Sequence, residues 1–551
     1  MPSTEEIQRL LKEHDWQTAQ HLADGLAEKG HVRIVAPTFV REAMANKDEV
    51  ALIKYLDMWL QQQPDAMDAV DLRVKIHLHK RETELAALCY ERAARLHRAP
   101  ADLWFNAAYY MKQAGKYEQA LSFYQAALDA NVSDAHQVYL NMAVIQSDYL
   151  ANENLARQYL EKAVELEPNF SDAWYNLGNL EEQQANGPKA RKAFLNAYQS
   201  DPHYFSALAR LADLKTFTDE YDPDIRATRR GINNPRASSS DRCFLLYGLG
   251  KMLNDCKNYN QAWGAYVEAN RLNRNNQKRY HREEHEKFVD SIIESYPQVF
   301  NQPSGDANGP ELIFICGMFR SGSTLAEQVL GVLPEISNGG EIEHLHRVLT
   351  QKPNYFPEYT KGLTSDRLKK IRDAYLREVS TAFPEAEILT DKRPENYRYV
   401  GLIKQVFPKA KFIWTQRAPL DNALSAYFQY LGPGMSYATS LDDTLHYHDQ
   451  MQRLKLHWQG LYPESIFTLD YDQFVSEPIK VARELLSFLE IDWNGEILNF
   501  HTRRNSVKTA SVWQVRKPLY KTSSGRCQQY IEAIRASSMY PEFCARFNQE
   551  D

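Results

Sequence analysis

Between Glu311 and Leu330 the chain reads ELIFICGMFRSGSTLAEQVL. Leu312 to Cys316 is an apolar run that fits a short buried strand, Gly317 and Gly322 mark a turn, and Thr324 to Leu330 has the pattern of a helix. Strand, glycine turn and helix start make an anion cradle. Backbone N–H groups converge where no Cβ intrudes, the helix N-terminus adds partial positive charge, and Arg320, Ser321, Ser323 and Thr324 can add side-chain donors. A phosphate fits there. The spacing of Gly317 and Gly322 matches the first part of the loop G-x-x-x-x-G-K-[ST], but Ser323 stands where the lysine that reaches the β and γ phosphates belongs. That weakens a nucleoside-triphosphate kinase or hydrolase, and the full charge comes from Arg320 instead. The alternative is an ordinary strand-turn-helix with a chance glycine pair.

Four further stretches add groups able to act on a bound anion. Glu341 follows Gly339 and Gly340 on a loop close in sequence to the cradle, and a carboxylate there is placed to approach a transferred group; Glu343 is the second candidate. A glutamate that only offsets a helix dipole is the competing reading. The strand candidate Ala386 to Thr390 delivers Asp391, Lys392, Arg393 and Pro394 at its carboxyl end, where open α/β sheets place ligands. The strand candidate Lys411 to Thr415 ends in Gln416 and Arg417, and Pro419 then begins a helix with Asp421 and Ser425 one turn apart. Ile466 to Leu469 is a further strand candidate, with Tyr471 beyond it and a helix over Pro478 to Leu489.

The stretch from Arg320 to Thr324 resembles the 5′-phosphosulfate loop of sulfotransferases, whose usual form is P-R-S-G-[ST]-T, with Phe319 here in place of the proline. The stretch Arg417 to Ser425 resembles their 3′-phosphate motif R-x-P-x-D-x-x-x-S, and Lys392 matches the lysine of their N-K-x-P stretch. Gly340-Glu341, Tyr471 and the tail with Ser511, Gln514 and Pro518 are similar to tyrosylprotein sulfotransferases, Arg526 standing where that family has a lysine. The resemblance covers about 311–530 and implies these roles. Arg320, Ser321, Gly322, Ser323 and Thr324 would hold the 5′ phosphosulfate of 3′-phosphoadenosine 5′-phosphosulfate. Arg417 and Ser425 would hold the 3′ phosphate, with Tyr471 and Arg526 against the nucleotide. Glu341 would be the base, while Lys392 and Ser511 offset charge on the departing phosphate, and no metal is required. The acceptor would be a hydroxyl on a peptide, glycan, lipid or phenol. The membrane anchor of tyrosylprotein sulfotransferases is not matched, so their location and substrates do not carry over.

The elements that must position these residues follow from the rest of the chain. At 551 residues it exceeds one domain, and 65 basic against 72 acidic residues, net −7, suggest neither a nucleic-acid face nor an anionic-membrane anchor. The six cysteines are scattered without a C-x-x-C pair, the N-terminal stretch is charged, and no apolar run is long enough to span a membrane. The expectation is a soluble cytoplasmic protein. From Ala101 a pattern of large and small residues returns about every 34 residues. Its copies include Trp104, Ala120, Tyr124 and Ala127, then Trp174, Gly178, Ala190, Phe194 and Pro202. This resembles the tetratricopeptide repeat, and its groove is a candidate site for a protein partner or for the acceptor. The pair His281 and His285 has the H-x-x-E-H form of a zinc site, but its charged flanks suit a solvated helix face better.

The expected architecture is an all-α tetratricopeptide-like solenoid over 1–296, degenerate in 1–66, and a breaker-rich linker over 297–310. An α/β P-loop-like domain with a central, mostly parallel sheet follows over 311–551. The expected activity is sulfuryl transfer from 3′-phosphoadenosine 5′-phosphosulfate to a hydroxyl. The alternatives are a nucleotide-binding repeat scaffold without catalysis and a nucleoside-triphosphate kinase.

Overall fold

Short helices with small residues at their crossings fill the first part of the chain, and a single parallel sheet organises the second. The structure, a computed structural model, describes residues 9–550 except 11–12, 14–15, 29–30, 98–99, 151, 301–308, 351–355, 504–506, 508, 510 and 538. It divides into two compact units, Met1–Leu180 and Glu181–Asp551.

In the first unit, helix pairs such as Met67–His79 with Thr83–Ala94 and Ala101–Gln113 with Tyr117–Asp129 pack side by side. Ala86, Ala107, Ala120 and Ala127 are fully buried where helices approach, because only a methyl group fits there. The turns inside the pairs are left-handed at Lys47, Arg81 and Gly115, at successive intervals of 34 residues. The repeat therefore begins earlier than its sequence pattern. The stretch 1–66, expected to be degenerate, contains the pair Val32–Ala45 and Glu49–Gln62, joined through Lys47.

Among the described residues the second unit contains five strands: β1 (Glu311–Gly317), β2 (Ile336–Asn338), β3 (Ile388–Lys392), β4 (Lys411–Gln416) and β5 (Ile466–Asp470). All neighbours are parallel, in the order β2-β3-β1-β4-β5. Side chains alternate along β1. Leu312, Phe314 and Cys316 enter one core with the helices Ser365–Ala382 and Leu441–Leu461, while Ile313 and Ile315 enter another with Ser323–Leu330 and Pro478–Leu489. Both faces are covered, which is why β1 reads as an unbroken apolar run. The chain leaves β1 towards β2 and leaves β4 towards β5, so a crevice opens at the carboxyl ends of β1 and β4.

A third core joins helices upstream of the sheet to its C-terminal side. Leu249, Trp263 and Tyr266, from the helices Ser239–Asp255 and Tyr259–Asn275, pack with Leu420, Tyr427, Tyr530 and Phe543. The division in space thus falls at Leu180, upstream of the sequence break at 297–310, of which 301–308 lie outside the described residues. Among the described residues no helix is long and apolar enough to cross a membrane.

Candidate active site

Gly317 ends β1 with φ of +145°, and a Cβ there would lie 2.2 Å from the Thr415 carbonyl oxygen of β4. Only glycine lets the two strand ends close to this distance. The turn then places Arg320 in the left-handed region, φ +69°, and Gly322 at φ +105°, where a Cβ would press on the Tyr471 ring at 3.0 Å. Gly322, Ser323, Thr324 and Tyr471 thereby line a cleft whose empty space, open solvent included, is about 890 Å³.

Arg320 crosses that cleft. Its Nε donates to Ser425 Oγ (3.2 Å), Nη1 to Ser511 Oγ (2.6 Å) and Nη2 to Gln514 Oε1 (2.7 Å). One guanidinium thus joins the loop after β1, the helix after β4 and the C-terminal tail. Burial, with Arg417 nearby, pulls Arg320 down to about 10, so it remains charged at neutral pH. Arg417 lies over the Tyr471 ring at 5.0 Å and donates to the Ser523 carbonyl, while its buried Nε has no partner. Arg526 lines the same cleft, packs on Phe428 at 4.9 Å and donates through Nη2 to Asn254 Oδ1 at 2.9 Å. Among the described residues no carboxylate forms an ion pair with Arg320, Arg417 or Arg526. Three unneutralised guanidiniums lining one cleft call for an anion of more than one charge.

At the edge of the cleft Lys392, 1% exposed at the end of β3, donates through Nζ to Glu341 Oε1 at 2.5 Å. Glu341 itself is exposed, on the turn after Gly340 and before the helix His344–Thr350, so it is outside the helical turn that a dipole role requires. Glu343 points elsewhere, 3.9 Å from Arg393. Behind the pair lies Glu327, 4% exposed, which accepts from Gly340 N–H (2.9 Å) and Thr390 Oγ1 (3.1 Å). Burial raises its carboxyl above the ordinary range, against the pull of Lys392.

Eleven of the twelve residues expected at the site line this cleft: Arg320, Gly322, Ser323, Thr324, Glu341, Lys392, Arg417, Ser425, Tyr471, Ser511 and Arg526. Ser321 does not. Its hydroxyl is 1% exposed, 2.6 Å from the Met318 carbonyl oxygen and 2.7 Å from Thr415 Oγ1, where it braces the turn against β4. Asp421 is likewise structural: it accepts from the backbone N–H of Gly525 and Cys527 (2.8 Å for the latter) and pins the tail beside Arg526. Sequence reasoning missed Glu327 and Asn254 and gave Gln514 no role. Glu327 is masked by its place on an apolar helix, and Asn254 lies in a segment read only as repeat. His285 does not stand on a solvated face; it stacks on Tyr447 at 4.6 Å, and burial with Arg398 nearby lowers it to about 3.

Residues 310–495 match the sulfotransferase family, and residues 72–135 and 154–205 match the tetratricopeptide repeat. An uncharacterized protein of Aquifex aeolicus is 32% identical over 324 residues, 56% of this chain and 42% of that protein. Protein-tyrosine sulfotransferase 1 of Danio rerio is 28% identical over 205 residues, 34% of this chain and 55% of that protein. The chain spans about half the length of these relatives. Among solved structures, the sulfotransferase domain of the Synechococcus PCC 7002 olefin synthase covers 43% of this chain and 98% of its own, at 18% identity and a TM-score of 0.30.

Proposed function

We propose that this chain, whose residues 310–495 match the sulfotransferase family, transfers the sulfuryl group of 3′-phosphoadenosine 5′-phosphosulfate to an acceptor hydroxyl. The observation that carries the reading is the convergence of Arg320, Arg417 and Arg526 on one cleft with no carboxylate partner among the described residues, beside the Glu341–Lys392 pair. A donor with phosphate at its 3′ end and phosphosulfate at its 5′ end carries the charge those cations lack. Arg320, Gly322, Ser323 and Thr324 hold the phosphosulfate; Arg417, Ser425 and Arg526 hold the 3′ phosphate, and Tyr471 packs beside it.

In the step itself Glu341 takes the acceptor's hydroxyl proton as the acceptor oxygen bonds to sulfur. The bond from sulfur to the 5′-phosphate oxygen breaks, and its electron pair leaves with the phosphate as 3′-phosphoadenosine 5′-phosphate. Lys392 and Arg320, with Ser511 held at Arg320, offset the charge that grows on that phosphate. Buried and fixed by Glu341, Lys392 needs little reorganisation to do so.

The acceptor is a hydroxyl-bearing molecule of one of four classes: peptide, glycan, lipid or phenol. A protein or peptide acceptor presented by the tetratricopeptide repeats is the version that uses both units. The test is transfer of labelled sulfate from the donor to a panel of the four classes with the full chain. A labelled ester in any class is the result expected. Donor binding with no transfer to any class would leave a nucleotide-binding scaffold, and phosphate transfer from a nucleoside triphosphate would leave a kinase.

A further inference from the structure

The donor cleft is built from the sheet and its loops, yet one of its cations is held from outside them. Asn254 sits near the end of the helix Ser239–Asp255, upstream of β1 and in the stretch whose pattern reads as repeat. Its Oδ1 accepts from Arg526 Nη2 at 2.9 Å and from the Tyr530 hydroxyl at 2.7 Å. Arg526 also lies over the Phe428 ring at 4.9 Å, so two contacts hold its guanidinium, one with the ring and one with the amide oxygen. The helix cannot drift from this place, because Leu249, Met252 and Leu253 are anchored in the core shared with Tyr427 and Tyr530.

We infer that Asn254 is a positioning residue for the donor site: by holding Arg526 it sets the cleft's preference for a nucleotide bearing a 3′ phosphate. The inference rests on the donor reading above and adds that an upstream helix is a working part of that site. An unheld arginine facing open solvent samples many rotamers, and ordering it on binding costs affinity. Asn254 removes that cost. An amide oxygen suits the task better than a carboxylate, since it orients the guanidinium without neutralising the charge meant for the ligand.

The experiment measures affinities of the full chain for 3′-phosphoadenosine 5′-phosphate and adenosine 5′-phosphate, in the parent, Asn254→Ala and Asn254→Asp. Asn254→Ala is expected to lose about two- to tenfold in affinity for the 3′-phosphorylated nucleotide, while adenosine 5′-phosphate binds within about twofold of the parent. Asn254→Asp keeps the side-chain shape, so it preserves the fold if the alanine variant does not. By placing a carboxylate on Arg526 it too lowers the preference for the 3′ phosphate, and the loss shrinks in high salt. A purely structural asparagine would move both nucleotides together. Unchanged preference in Asn254→Asp overturns the inference and leaves the donor reading standing. A parent that binds both nucleotides alike overturns the donor reading and this inference with it.

Discussion

Arg417 and Asp421 show what separates a side chain left open to a ligand from one that braces. Arg417 lines the cleft, lies over Tyr471 and keeps a buried Nε without a partner, whereas Asp421, one turn along the same motif, spends its carboxylate on the tail backbone. Arg417→Ala is therefore expected to weaken binding of 3′-phosphoadenosine 5′-phosphate by about 2–3 kcal/mol and to affect adenosine 5′-phosphate far less, as calorimetric titration of both would read. Equal losses for the two ligands would move the 3′ contact elsewhere. At this scale the sequence was legible for the placement of Arg320, Lys392 and Arg417, which all line the cleft beyond their strand ends. Ser321 was not, because a hydroxyl between two glycine-turn residues reads the same whether it faces a phosphate or the carbonyl of Met318. Only the rotamer decides.

The strand, turn and helix around Gly317 were predicted almost to the residue, since β1 is buried on both faces and its apolar run is continuous. The helix Pro478–Leu489 matched its expected limits as well. β2 went unseen: three residues at a sheet edge carry no periodicity. Yet the β2 loop carries Glu341, and its position depends on Glu327. Replacing Glu327 by Leu strands the Gly340 N–H, leaves the Thr390 hydroxyl only its longer bond to the Ser337 carbonyl at 3.4 Å, and is expected to cost about 2–4 kcal/mol in denaturant unfolding, while Glu327→Gln stays within about 1 kcal/mol of the parent. β3 adds a pH signature. Burial holds Asp391 up at about 7, despite hydrogen bonds from Tyr375 and Asn396, against an ordinary value of 3.8. Between those values the folded chain keeps a proton that the unfolded chain has lost. Its contribution is full below about pH 4, declines as pH rises towards 7 and is flat above. Asp391→Asn should remove that part of the slope when melting temperature is followed from pH 4 to 8; an identical slope in both proteins would count against it.

At the scale of the molecule the sequence shows two kinds of chain, repeat and sheet, but not where the compact units divide. The breakers at 297–310 mark a change of composition, whereas the helices Ser239–Asp255 and Tyr259–Asn275 belong with the sheet through a shared core. Glu182 extends the same pattern. It accepts from the Trp513 indole (2.8 Å) and from Arg210, and so tethers the tail that carries Ser511 and Gln514. A fragment starting at 181 should therefore fold and bind 3′-phosphoadenosine 5′-phosphate like the whole chain. One starting at 311 should lose the Leu249–Tyr530 core and behave as a molten or insoluble product. A well-folded 311–551 fragment with full nucleotide affinity would contradict this division. The central claim, that this cleft transfers a sulfuryl group with Glu341 as base, is tested most directly by counting products in the parent and in Glu341→Gln under saturating donor. The account predicts one 3′-phosphoadenosine 5′-phosphate released per sulfate ester in the parent. In the variant, turnover should be about 10²–10⁴-fold slower with unchanged nucleotide affinity. Equal turnover in the two proteins would contradict it.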